Sequence, residues 1–148
     1  ITLTIMAILL PDTTPDCRTV RLKTFPDERG WLTCADAYTD IPFPVKRLFW
    51  IYNVPEEATR GGHANWKCAE AIFPLKGSFD IYVDDGKQHA TLHMDQPDTG
   101  IIIPAGVWCL LSKFEEGTIC LVASDEPYCQ EAYVNDYQDF LEQTICRQ

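Results

Sequence analysis

Apolar and polar residues alternate along most of this chain in short runs, and the runs are rich in Val, Ile, Phe, Tyr and Trp. That period of two, bounded by turn residues, is the mark of strands with one face inward. It predicts strands over 18–25, 31–38, 46–54, 68–75, 79–84, 87–94, 100–104, 107–113 and 118–124. Between them lie the turn signals "DERG", "DDGK", "QPDTG", "PAG" and "EEGT". "DDG" between two alternating runs predicts a hairpin. Only the end of the chain changes period. Ala132, Tyr133, Asp136, Tyr137, Phe140 and Leu141 recur at helical spacing, which predicts a helix over 130–146. Nine short strands and one terminal helix point to a single all-β barrel or sandwich over 1–148, with no second domain. In "KQHATLHM" His89 and His93 share the face opposite Ala90, Leu92 and Met94, so both histidines should point to solvent.

Composition narrows the class. The chain has 148 residues and a net charge of −10, unevenly spread. Residues 1–76 hold nine Lys/Arg and nine Asp/Glu, whereas residues 77–148 hold three against thirteen. Such acidity argues against nucleic acid or an anionic membrane as partner, and it puts any anionic ligand on the first half. Seven cysteines, an odd number with no C-x-x-C pair, argue against a disulfide scaffold or a structural zinc site. The opening run "ITLTIMAILL" is too short to cross a bilayer and lacks the basic start and cleavage site of a secretion signal. It reads as a lead-in or edge strand over 1–15, with Met6 a candidate start, in a cytoplasmic protein.

The chemistry centres on "RGGHANWKCAE", residues 60–70. From His63 the chain reads H-x-N-x4-E-x6-G, ending at Gly77, and "PAGVWC" at 104–109 reads P-x-G-x2-C. The two stretches resemble the paired motifs of the cupin β-barrels, H-x-H-x(3,4)-E-x6-G and P-x-G-x2-H. Gly77, Pro104 and Gly106 would make the tight turns that aim two hairpins into one barrel mouth. The flanking series "DERGWL", "IPFPVKRLFWIYNVP", "GSFDIYVDDG", "LVASDEPY" and "YVNDYQDFL" is similar, in order and spacing, to the WxcM-like nucleotide-sugar 3,4-ketoisomerases over about residues 18–142. The fold this resemblance implies is a cupin jelly-roll barrel with a short C-terminal helix.

The activity it implies is movement of a ketone between C4 and C3 of a sugar such as dTDP-4-keto-6-deoxyglucose. That reaction takes a proton from the carbon beside a carbonyl and returns it to the next carbon. Histidine suits both steps. The resemblance assigns the base to His63, assisted by Asn65, with no metal and no cofactor. Arg47, Arg60 and Arg29 are the candidates for the diphosphate, because a guanidinium makes paired hydrogen bonds to phosphate oxygens. Tyr52, Trp108 and Trp66 are candidates for stacking on the base, and Glu70 and Cys109 for lining the sugar site. Members of the family pair through exchanged strands, which implies a homodimer; the context would be deoxysugar synthesis for a surface polysaccharide or lipopolysaccharide.

Three positions depart from the family pattern. Asn65 stands in place of a second histidine, Cys109 in place of a third, and Phe49 where many members have tyrosine. Two further readings therefore stay open: a sugar-nucleotide-binding cupin of weakened turnover, and a metal-dependent cupin using His63, Glu70 and Cys109.

Overall fold

Residues 16–148 are described by the structure, a computed structural model. The expectations for residues 1–15 lie outside the described residues. Two five-stranded antiparallel sheets face each other. One has the order β1 (Arg18–Arg21), β9 (Thr99–Ile103), β6 (Glu70–Lys76), β11 (Ile119–Ser124), β4 (Arg47–Tyr52). The other runs β12 (Tyr133–Val134), β5 (Arg60–Asn65), β10 (Trp108–Ser112), β7 (Phe79–Asp84), β8 (His89–Met94). A separate hairpin, β2 (Lys23–Asp27) with β3 (Gly30–Cys34), stands apart from both sheets. This is the all-β architecture that the alternation predicts and the jelly roll that the resemblance implies.

The core lies between the sheets. Ile72, Phe79, Ile81, Val83, Ile101, Cys120 and Val122 meet there, each nearly or fully buried. Both sheets are also covered on part of their outer faces. Ile41 and Phe43, from the segment between β3 and β4, cover Ala71, Phe73, Ile102 and Ala123 of the first sheet. Helix α1 (Tyr137–Cys146) covers Ala64, Trp108 and Val134 of the second with Phe140 and Leu141. At about 25 cal/mol per Å² of apolar surface, these layers supply the main drive to fold.

Hairpin β7–β8 forms where "DDG" predicts it. Asp85 Oδ1 accepts from the N–H groups of Lys87 and Gln88, and Gly86 takes a positive φ of 92°. His89 and His93 are both exposed, as the alternation requires. Gly77 adopts φ 73°, and a Cβ there would lie 2.3 Å from Thr118 Oγ1, so only glycine fits this turn.

Four expectations differ. The run 18–25 is two strands, because the chain leaves β9 at Leu22 and then pairs with β3. The strand expected over 31–38 stops at Cys34, beyond which Asp36 and Tyr38 turn the chain. Residues 60–65, not foreseen as a strand, form β5 between β10 and β12. The C-terminal helix starts at Tyr137 rather than 130. Residues 130–132 make one 3-10 turn, Tyr133 and Val134 pair with β5, and Asp136 caps α1 by accepting from the N–H of Asp139.

Candidate active site

Strand alternation puts His63 and Asn65 on one face of β5, and Cys109 of β10 pairs directly with His63. On the facing sheet one row runs across four strands: Arg47 pairs with Ser124, Ser124 with Glu70, and Glu70 with Ile103. The two faces meet at a cavity of about 10 Å³, room for one water, lined by His63, Asn65, Cys68, Glu70, Ile103, Pro104, Val107 and Cys109. The two sequence motifs thus converge on one interior space, as their turns predict.

The electrostatics of this space follow from its dryness. Burial lowers the pKa of His63, the Gly61 backbone hydrogen bond opposes that shift, and the Arg60 charge adds to it. The imidazole is therefore neutral near pH 7 and available to accept a proton. Burial raises Glu70 to about 7; the Arg47 charge works against this and Asp125 adds to it. The Cys109 thiol is pushed far up, chiefly by burial and then by Glu70, so it stays protonated.

Asn65 behaves differently from the expectation of a group assisting His63. Its side-chain oxygen accepts from the N–H groups of Lys67 and Cys68, at 2.9 and 3.0 Å, and so holds the turn after β5. Arg47 ends the row, its guanidinium 4.5 Å above the Phe49 ring and 5.1 Å from that of Tyr128. Tyr128 stacks near Tyr133 at 5.7 Å, and Tyr133 meets the His63 ring edge-on at 4.9 Å. Arg47, Tyr128, Tyr133 and His63 thus form one continuous wall of contacts, in which His63 alone lines the cavity.

The other expected residues fall elsewhere. Arg60 and Tyr52 line a separate groove of about 300 Å³ with Trp50, Asn53 and Pro55. Tyr52 points outward from edge strand β4. Arg29, at the tip of the β2–β3 hairpin, is paired with Asp27 and shares no lining residue with the His63 cavity. Trp108 is one residue out of phase with Cys109, so it faces α1 instead, edge-on to Tyr137 and against Phe140. Trp66 also belongs to that layer, donating to Gln143 Oε1 at 2.7 Å beneath Arg147. Among the described residues no set of three or more His, Cys, Asp or Glu stands in metal-holding geometry.

Sequence reasoning missed Tyr128 and Tyr133. A usable signal was present: Asp136, three residues before Asp139, marks the start of α1 and frees Tyr133 from the helix.

Comparison with known proteins places the chain in a family and agrees with the fold. The family model FdtA, described as WxcM-like, C-terminal, matches residues 15–145. A TDP-4-oxo-6-deoxy-alpha-D-glucose-3,4-oxoisomerase of Aneurinibacillus thermoaerophilus is 28% identical over 123 residues, 83% of this chain and 88% of that protein. A 3,4-ketoisomerase from Helicobacter canadensis superposes with a TM-score of 0.85 at 27% identity, covering 88% of this chain and 98% of its own. The sugar 3,4-ketoisomerase QdtA from Thermoanaerobacterium thermosaccharolyticum, in complex with TDP, also gives 0.85, at 28% identity and coverages of 88% and 96%.

Proposed function

Because the chain belongs to the FdtA family (WxcM-like, C-terminal), we propose that it is a metal-independent 3,4-ketoisomerase of a TDP-linked 4-keto-6-deoxy sugar. One observation carries the reading: a neutral imidazole, His63, lines the interior cavity that both motifs build. It would take the proton from C3 and return it to C4. The donor set reads against a metal, with one imidazole, an asparagine oxygen already holding two N–H groups, and a protonated thiol.

Arg47 belongs to the interior row and would hold the substrate's anionic part, while Arg60 lines the separate groove. What supports a homodimer is the outer face of β4, where Leu48, Trp50 and Tyr52 are each more than half exposed on a strand that, among the described residues, is the edge of its sheet. Arg29, on its projecting hairpin, would then serve the partner's site rather than its own. Seven unpaired thiols support a reducing, cytoplasmic setting, and the product would feed deoxysugar synthesis for surface polysaccharide.

The test is NMR in heavy water with dTDP-4-keto-6-deoxyglucose. The expected result is deuterium entering the ring and a 3-keto product, with His63→Ala lowering the rate by about 10²-fold or more. Wash-in undiminished in that variant would remove His63 from its role. The locked side chain of Asn65 favours a second reading, binding without turnover. Calorimetric binding of dTDP with no exchange at any pH would select it.

A further inference from the structure

Isomerisation asks for more than a base on carbon. The carbonyl oxygen must gain a proton as the C3 proton leaves, and the neighbouring hydroxyl must lose one as the new carbonyl forms. His63, occupied by the carbon-to-carbon transfer, cannot serve both oxygens at the same moment. Asn65 has no exchangeable acid proton and its oxygen is spent on the turn. Phe49, on the partly buried face of β4 with Arg47, has no hydroxyl. The Cys109 thiol is held protonated by burial, and Glu70, itself almost wholly buried, stands on the facing sheet across the cavity from His63.

Tyr133 remains. It is the direct partner of Asn65 in the β5–β12 register, so it projects from the same face as Asn65 and His63. Its ring stands at 88° to the imidazole with centroids 4.9 Å apart, and it is half-buried. Tyr128 at 5.7 Å connects it to the Arg47 guanidinium, a fixed positive charge on the same wall.

Resting on the ketoisomerase reading, we propose that Tyr133 is the second acid–base catalytic residue of this site, its phenol serving the two sugar oxygens while His63 serves the two carbons. In the first step the C3 proton passes to His63 and the phenol proton passes to the C4 oxygen, which leaves a C3–C4 enediol, an imidazolium and a phenolate. In the second the phenolate takes the proton of the C3 hydroxyl as C3=O forms, and His63 gives its proton to C4. Both residues end as they began, and no electron acceptor is needed. The imidazolium beside the phenolate stabilises the charge-separated intermediate, and Arg47 reinforces it.

The test is Tyr133→Phe, which keeps the ring against His63 and removes only the hydroxyl. The expected outcome is a fall in kcat of about 10²-fold or more, with KM and calorimetric dTDP binding changed by less than about twofold. A role confined to packing would leave kcat intact, because the edge contact survives, so a kcat within about threefold of the parent overturns the proposal. A fall in kcat matched by loss of dTDP binding also overturns it, assigning Tyr133 to binding. A parent protein that never incorporates solvent deuterium overturns the ketoisomerase reading itself; a parent that turns over beside an unaffected Tyr133→Phe variant sinks only the phenol.

Discussion

Glu70 carries a carboxyl into the layer between two sheets, and its protonation couples the pocket to folding. Its value moves from 4.5 to about 7, driven by burial against the pull of Arg47. Between those values the folded chain keeps a proton that the unfolded chain has lost, so stability falls as pH rises through that window. Glu70→Gln should therefore gain on the parent progressively from about pH 4.5 to about pH 7, by up to about 3 kcal/mol, and run parallel above. Urea titrations at a series of pH values check this; a constant offset would show that Glu70 ionises like a surface carboxylate. At this scale the sequence was informative about residues tied to the motifs. His63, Glu70 and Cys109 share one cavity because strand period and turn glycines dictate it. It was silent on side chains whose aim depends on which sheet face is covered. Tyr52 and Trp108 are plausible stacking residues by type, yet one points to solvent and the other under α1.

Among the elements, β5 was the hardest to foresee. "RGGHAN" has neither apolar alternation nor β-branched residues, and it is a strand only because β10 and β12 flank it. Its glycines adopt φ 78° and 71°, and the register against β10 slips by one residue there. This bulge sets where His63 falls relative to Cys109. A Cβ on Gly61 would sit 2.9 Å from the Cys109 carbonyl oxygen. Gly61→Ala should cost about 1–3 kcal/mol and lower turnover although it removes no functional group. Thermal unfolding paired with the deuterium assay checks it, and full activity with lost stability would uncouple the bulge from the site. Strands β6 to β11 were legible because their apolar runs are bounded by turns whose chemistry is local. Strand β12 was not, since two residues carry no periodicity.

For the molecule as a whole, pattern and composition gave the two-sheet architecture, but not which outer faces stay bare. Among the described residues, loop and helix cover the outer sides in part, and Leu48, Trp50 and Tyr52 on β4 stay exposed. If that face joins two copies, Trp50→Lys should convert a dimer to a monomer in sedimentation equilibrium. An unchanged mass for the variant would move the interface elsewhere.

Strand β10 serves two masters at neighbouring positions: Trp108 belongs to the layer beneath the helix, and Cys109 to the reaction chamber. Odd and even residues of one strand thus answer to different physical demands. A change of chemistry at one set of alternate positions leaves the packing of the interleaved set in place. Such a barrel is a frame whose function can be rewritten every second residue without rebuilding its walls.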